Sequence, residues 1–323
     1  MSKAEQAPTL SVVIPIFNEE ENLEVLFQRL STALVATGED FEVIFVNDGS
    51  RDRSELLLRE FARRDPRFRS LHFSRNFGHQ TALTCGLDHA RGRAVVAMDG
   101  DLQDPPELLP DLLQRWRDGY EVVYAVRQKR KENIFKRAAY KGFYWLLRRV
   151  SYLDIPLDSG DFSLIDRRVL EVLRSMPERN RFVRGLRTWA GFRQVGYEYA
   201  REARFAGQSK YSLGKLMKLA FDGLVSYSYV PLRLVSNVGM LVSGTALAYM
   251  AYLMVARCFG GTPIEGWTST VVIMLFLGGV QLLSLGVIGE YVGRIFEEVK
   301  QRPHYVVRDR VGFPDRETPE SPR

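Results

Sequence analysis

Two carboxylates one residue apart, Asp99 and Asp101, follow directly on the apolar run from Arg93 to Met98. A short apolar run bounded by turn residues predicts a buried strand. An Asp-x-Asp at the end of such a strand offers hard oxygen ligands to a divalent cation, which keeps water and substrate phosphate oxygens as its other ligands. Leu102-Gln103-Asp104-Pro105-Pro106 closes the turn and adds a third acid. An isolated Asp-x-Asp is more often a polar exit from a strand. Its meaning depends on what the rest of the chain places beside it.

The surrounding sequence alternates strand and helix signals. Leu10–Ile16, Phe41–Val46 and Ser70–Phe73 read as strands, and a helix from about Gly78 to Ala90 leads to the strand before Asp99. Asn18 is placed to cap a helix whose first turn carries Glu19, Glu20 and Glu21, which suits the helix dipole. This alternation predicts an α/β domain, a mostly parallel sheet with helices on both faces. Ligands of such sheets bind outside the carboxyl ends of the strands. Pro15–Glu19, Asp48, Arg75–Gly78 and Asp99–Asp101 all fall at those ends. A dinucleotide-binding domain is excluded on chemistry: the first strand-to-helix turn lacks Gly-x-Gly-x-x-Gly and carries three glutamates, which repel a pyrophosphate.

Composition divides the chain. It has 323 residues, 46% of them hydrophobic, and a net charge of +6. The basic residues cluster beside long apolar stretches, which favours a membrane surface over nucleic acid. Cys85 and Cys258 lie in different settings, so neither a disulfide nor a cysteine metal site is expected. Leu234–Val255 and Trp267–Gly289 carry no charge. A helix over the first is about 33 Å long, enough to span the hydrocarbon core. Basic residues flank the pair (Lys210, Lys215, Lys218 and Arg233 before, Arg294, Lys300, Arg302, Arg308 and Arg310 after), which puts both termini in the cytoplasm. Lys129–Val150 mixes cations with aromatic and aliphatic residues and reads as an interfacial helix; Ser212–Tyr229 is a milder case. The expected layout is a polar tail (1–9) and a cytoplasmic catalytic domain (10–210, with an interfacial helix at 129–150). A juxtamembrane helix (211–232), two spans (233–256 and 268–290) around an external loop (257–267), and a cytoplasmic tail (291–323) follow.

Three motifs, Val13-Ile14-Pro15-Ile16-Phe17-Asn18-Glu19, Val46-Asn47-Asp48-Gly49-Ser50 and Asp99-Gly100-Asp101-Leu102-Gln103-Asp104-Pro105, resemble the family-2 glycosyltransferases of GT-A fold. Asp158-Ser159-Gly160-Asp161-Phe162, Arg204-Phe205-Ala206-Gly207-Gln208-Ser209-Lys210-Tyr211 and the two spans narrow the resemblance to the polyisoprenyl-phosphate glycosyltransferases. That group includes the dolichol-phosphate mannose synthases and the bacterial GtrB-type enzymes. The likeness runs from about Leu10 to Arg302. It implies inverting transfer of a hexose from a nucleotide sugar, UDP-glucose, to polyprenyl (undecaprenyl) phosphate at the cytoplasmic face of the plasma membrane, by a homo-oligomer with no nucleic-acid partner.

The resemblance also implies residue roles. Pro15, Phe17, Asn18 and Glu19 line the nucleoside, and Asp48 accepts a pyrimidine N–H; Phe17 stands where tyrosine is more usual. Asp99 and Asp101 hold Mg²⁺ or Mn²⁺ against the diphosphate. Gln103, Arg127 and Arg75 contact the donor. Asp161, with Asp158 as the alternative, positions the acceptor or takes a residual proton; a phosphate oxygen is already anionic near neutral pH, so a strong base is hardly needed. Arg204, Gly207, Ser209 and Lys210 receive the lipid phosphate, and the stretch Arg181–Trp189 lines the acceptor side without assigned roles. Two other readings share the fold. A processive polysaccharide synthase needs more spans and a Gln-x-x-Arg-Trp motif, of which Leu186-Arg187-Thr188-Trp189 is a partial echo. A nonenzymatic lipid-phosphate-binding scaffold leaves the intact acidic and basic motifs without a purpose.

Overall fold

The apolar runs pair as strands because every residue in them can be buried. In a computed structural model, which describes residues 7–127, 159–179, 181–199, 230–259 and 266–313, β1 (Leu10–Ile16) lies between β2 (Phe41–Asn47) and β4 (Ala94–Ala97), parallel to both. β3 (Phe68–Phe73) continues the parallel set beyond β2. All residues of β1 and β2 are buried, as expected of central strands covered by helices on both faces. Side chains alternate between two cores. Leu10, Val12, Ile14 and Ile16 share one with residues of α1 (Glu20–Ala36), α2 (Ser54–Arg64) and α4 (Leu109–Arg117). Val13, Ile44 and Val46 share the other with residues of α3 (His79–His89), α5 (Arg167–Ser175) and α6 (Val183–Trp189).

Four further strands complete an eight-stranded mixed sheet: β5 (Val122–Arg127), β6 (Ser159–Asp166), β7 (Gln194–Tyr199) and β8 (Val307–Val311), in the order β7-β5-β6-β4-β1-β2-β3-β8. This is the mostly parallel α/β architecture that the sequence predicts. The strand order reverses between β1 and β4, so their carboxyl ends open the crevice where open α/β sheets bind ligands. β6 runs antiparallel between β4 and β5.

Two local expectations are corrected, the Asn18 cap and the plain C-terminal tail. α1 starts at Glu20 after Glu19, not after an Asn18 cap; Asn18 has a left-handed backbone, φ 55°. Asp161 lies within β6, and the helix after it starts at Arg167, where the Asp166 side chain accepts the Arg168 N–H. The chain beyond the second long helix is not a plain tail, because β8 joins the sheet edge.

The chain separates into two compact units: Met1–Tyr144, Leu153–Lys210 and Arg302–Arg323 form one, Trp145–Tyr152 and Tyr211–Gln301 the other. In the second unit α7 (Val230–Cys258) and α8 (Trp267–Val299) have 29 and 33 residues. Large apolar side chains such as Met240, Leu241, Leu282 and Leu285 are exposed on them. Among the described residues one stretch, Phe276–Val299, is long and apolar enough to cross a membrane, with a mean hydropathy of 1.3. The interfacial helix at 129–150 and residues 211–229 of the juxtamembrane helix lie outside the described residues.

Candidate active site

The β1 exit is fixed by its neighbour. The Asn18 side-chain oxygen accepts the Arg51 N–H at 2.8 Å, and the Asn18 N–H donates to Ser50 Oγ at 3.0 Å. Asparagine tolerates the left-handed corner better than most residues, and these two bonds hold it there. Glu19 turns into α1: its carboxylate accepts from Asn22 Nδ2 at 2.5 Å, and its N–H donates to Ser54 Oγ at 3.1 Å. Gly49 has φ +69°, and a Cβ there would lie 2.6 Å from the Arg75 carbonyl carbon, so only glycine lets these loops touch.

Asp48 is buried, and its two oxygens accept the N–H groups of Phe77 and Gly78 at 2.6 and 3.0 Å. Burial raises its pKa against the pull of those donors. The sequence reading gives Asp48 to a pyrimidine N–H; in the structure its oxygens brace the β3–α3 turn.

A cleft of about 400 Å³ opens at the ends of β1, β2 and β3, walled by Phe17, Asn18, Gly49, Ser50, Arg75 and Arg308 among others. Phe17 is 41% exposed, which leaves its ring available for contact. The Arg75 guanidinium lies 4.0 Å from the Phe77 ring centroid and donates to the Asn76 carbonyl at 3.0 Å. Pro15, Glu19 and Asp48 are not among the walls of this cleft.

At the β4 exit, the Met98 N–H still donates to the Val13 carbonyl at 3.1 Å, which keeps the chain beside β1. Gly100 then packs so tightly that a Cβ would lie 2.5 Å from Ile16 Cδ1. Leu102 is buried with φ 60°, a strained backbone for a bulky residue that is held by its side chain in the core. Asp101 is buried and accepts the Gln103 N–H at 3.2 Å. The third acid, Asp104, is fully buried and accepts the Tyr199 hydroxyl, so it serves the core.

Asp99 follows Met98 directly, and its Oδ1 is buried without a hydrogen-bond partner. Burial, with the negative charges of Asp104, Asp161 and Asp101, pushes its carboxyl up to about 6 against the opposing pull of His79. A divalent cation would relieve both the orphaned oxygen and the excess negative charge, and an all-oxygen donor set suits Mg²⁺ or Mn²⁺. Among the described residues no three His, Cys, Asp or Glu side chains gather to hold a metal. Asp99 and Asp101 therefore fit a cation whose remaining ligands come from substrate and water.

Antiparallel pairing of β6 with β4 brings Asp161 to the same place. His79 Nε2, on the first residue of α3, lies 3.5 Å from both Asp99 Oδ1 and Asp161 Oδ2. Gln80 Nε2 donates to Asp161 Oδ2 at 2.9 Å, while Gln80 Oε1 accepts the Val183 N–H at 3.1 Å. Arg184 Nη2 donates to Asp161 Oδ1 at 3.3 Å. Burial alone would raise the Asp161 pKa, but His79, Arg184 and Arg187 hold it well below the usual carboxylate range. Burial likewise opposes a charged His79, yet Asp161, Asp99 and Asp48 raise its pKa. Arg187 is 1% exposed, and burial drives its guanidinium down to about 10. Its Nε and Nη2 have no hydrogen-bond partner, and the Tyr124 ring centroid is 5.4 Å away.

Of the expected site residues, the structure brings Asp99, Asp101 and Asp161 together and sets Phe17, Asn18 and Arg75 around the cleft. Gln103 follows Asp101 in the same loop, and Arg127 ends β5. Asp158, Arg204, Gly207, Ser209 and Lys210 lie outside the described residues. Sequence reasoning missed His79, Gln80 and Arg308, and it named the stretch holding Arg184 and Arg187 without giving either a role. The available signals were weak: His79-Gln80 directly follows a strand-end turn, and Arg184 and Arg187 are spaced to share one helix face.

The profile of Glycosyl transferase family 2 matches residues 11–174, and the chain belongs to that family. A second profile, the GtrB C-terminal hairpin, matches residues 230–295, which places the chain in the GtrB-type group. The uncharacterized glycosyltransferase YkcC of Bacillus subtilis is 49% identical over 304 residues, 94% of each chain. The SfII prophage-derived bactoprenol glucosyl transferase of Shigella flexneri is 41% identical over 300 residues, 93% of this chain and 97% of its own. Among solved structures, glucosyl-3-phosphoglycerate synthase from Mycobacterium tuberculosis, in complex with Mn²⁺, UDP and its glucosyl product, superposes with a TM-score of 0.48. It is 18% identical and covers 69% of this chain and 79% of its own.

Proposed function

We propose that this glycosyltransferase transfers glucose from UDP-glucose to undecaprenyl phosphate, with inversion, at the cytoplasmic face of the plasma membrane. The observation that carries this reading is the pairing of a cation-seeking Asp99–Asp101 loop with a separately neutralised Asp161 at one crevice. The name of the Shigella flexneri relative supports a polyprenyl acceptor and a glucosyl donor. The GtrB-type hairpin match and the apolar stretch in α8 support membrane attachment.

In this reading the cleft beside Phe17, Asn18 and Arg75 receives the nucleoside. Asp99 and Asp101 would hold Mg²⁺ or Mn²⁺ against the diphosphate, where the ion supplies neutralisation of the charge that builds on the leaving UDP. An acceptor phosphate oxygen attacks the anomeric carbon; the new C–O bond forms as the bond to UDP breaks. Asp161 stays ionised at neutral pH and is a weak base. Its work is to fix Arg184 and His79 so that their donors face the incoming phosphate. The anionic acceptor carries its own nucleophilic charge, which makes that sufficient. Asp158, Arg204, Gly207, Ser209 and Lys210 are assigned to the acceptor side, Gln103 and Arg127 to the donor, and a homo-oligomer to the membrane form.

The test is direct. Full-length protein with Mg²⁺ or Mn²⁺, labelled UDP-sugars and undecaprenyl phosphate should yield a single-sugar glycolipid. Asp101→Ala should abolish metal-dependent turnover while the protein stays folded in membranes. Wild-type-like activity in that variant would sink the metal assignment. Long saccharide products, or lipid binding without transfer, would replace the proposed reaction by a polymerase or a scaffold.

A further inference from the structure

The strand that follows the hydrophobic hairpin is built to point one side chain into the cleft. β8 pairs antiparallel with β3 in regular register, Ser70 with Val311, Leu71 with Arg310 and His72 with Asp309, but the next pair is Phe73 with Val307. Arg308 is thus the extra residue of a β-bulge. Bulges are common beside active sites because they re-aim a side chain. Arg308 forms a wall of the cleft together with Glu55 and Phe17. Its Nη2 lies 2.6 and 2.7 Å from the two oxygens of Glu55.

The strand does not depend on that ion pair for its place. The Tyr305 ring stacks on Phe73 with centroids 5.4 Å apart and planes 13° apart, and its hydroxyl donates to Asp88 at 3.0 Å. The Ser74 N–H donates to the Val306 carbonyl at 3.0 Å, and Asp309 pairs with Arg59. Arg308 is therefore spare as a latch. A guanidinium and an exposed aromatic ring lining one polar cleft suit a flat ring with carbonyl acceptors. Asp99 and Asp101 are not walls of this cleft, so it takes the nucleoside end of a donor and not its diphosphate.

We propose that Arg308, carried to the cleft by the β8 bulge, binds the nucleobase of the sugar donor, so that the segment after the membrane hairpin completes the donor site. This rests on reading the cleft as the nucleotide site. Donating to base carbonyls requires the guanidinium to leave Glu55 in part, and Glu55 becomes the competitor that tunes affinity.

Calorimetric binding of UDP and of uridine to the full chain in nanodiscs with Mn²⁺ tests it. Arg308→Ala should weaken both ligands about tenfold, the worth of one charge-assisted hydrogen bond. Glu55→Gln should tighten the binding of both ligands, because it frees the guanidinium. Equal weakening by the two variants would reduce Arg308 to a structural latch and overturn the proposal, as would unchanged binding in Arg308→Ala. A loss seen with UDP but not with uridine would overturn the assignment to the base. Arg308→Gln replaces Arg308→Ala if the latter does not fold. A wild-type chain that binds neither ligand would instead refute the nucleotide reading of the cleft.

Discussion

Gly100 offers a geometric test of how the Asp99–Asp101 loop is held. Its φ lies outside the left-handed range, so alanine meets no backbone obstacle there; the obstacle is space. An added Cβ would lie 2.5 Å from Ile16 Cδ1, 3.4 Å from the Pro15 carbonyl oxygen and 3.5 Å from Ile14 Cγ2. Carbon atoms pack at about 3.5–4.0 Å, so the first contact must open by about 1 Å while the others need little change. Ile16 is fully buried and cannot swing freely. The Asp99–Asp101 loop must take up the displacement. Overpacking of this kind costs about 1–3 kcal/mol of stability. A shift of about 1 Å in groups that fix reacting atoms costs about a hundredfold in turnover. Ile16→Val removes the clashing atom and costs about 0.5–1.5 kcal/mol by itself, with activity retained. The double variant Ile16→Val/Gly100→Ala should then recover most of the lost rate, a coupling that additive effects cannot give. Glucose transfer at saturating donor and metal, with thermal unfolding in parallel, measures both terms. A Gly100→Ala enzyme as active as wild type, or a double variant no better than Gly100→Ala, would refute the packing argument.

Two further outcomes follow from buried charges. Arg187 is held inside the fold with two nitrogens unpartnered, so Arg187→Met should leave thermal stability equal or higher. It should lower the transfer rate, because Asp161 loses one of its cations; a fall in melting temperature would show that the guanidinium stabilises the fold. His72 is fully buried, and burial holds its pKa down to about 4 from 6.5. The folded state therefore refuses a proton that the unfolded chain accepts, and stability is lost as pH falls from about 6.5 towards 4. The loss approaches about 3 kcal/mol. Denaturant unfolding across that window should show a shallower pH dependence in His72→Gln; parallel curves would refute it.

How much of this was legible in the sequence depends on distance along the chain. β1 and β2 were readable because they are unbroken apolar runs, and the Asp99–Asp101 pair because one residue separates its members. Asn18 misled because Asn before a run of glutamates has the composition of a helix cap. Only its bond to the Arg51 N–H shows a left-handed corner instead. The meeting of His79 with Asp161 depends on β6 entering the sheet antiparallel beside β4, a pairing between distant segments that no local pattern encodes. β8 was invisible for a different reason. Val307-Arg308-Asp309-Arg310-Val311 is mostly charged, as edge strands often are, and so lacks the apolar signature of a strand.

The two carboxyl groups that face His79 show why residue type alone could not assign the site. Asp99 and Asp161 lie at the same distance from one imidazole, yet their pKa values are driven apart. Asp99 is partly buried and ringed by Asp101, Asp104 and Asp161, which raises it; Asp161 has Arg184 and Arg187 as well as His79, which lowers it. Environments that separate two like groups divide labour between them. The group left with an orphaned oxygen and excess negative charge is the one a cation stabilises. The group already saturated with cations gains nothing from another, and gives little to a proton. A second carboxylate so arranged is best used as a fixed anion that orients donors, which is all that an acceptor already bearing its own charge requires.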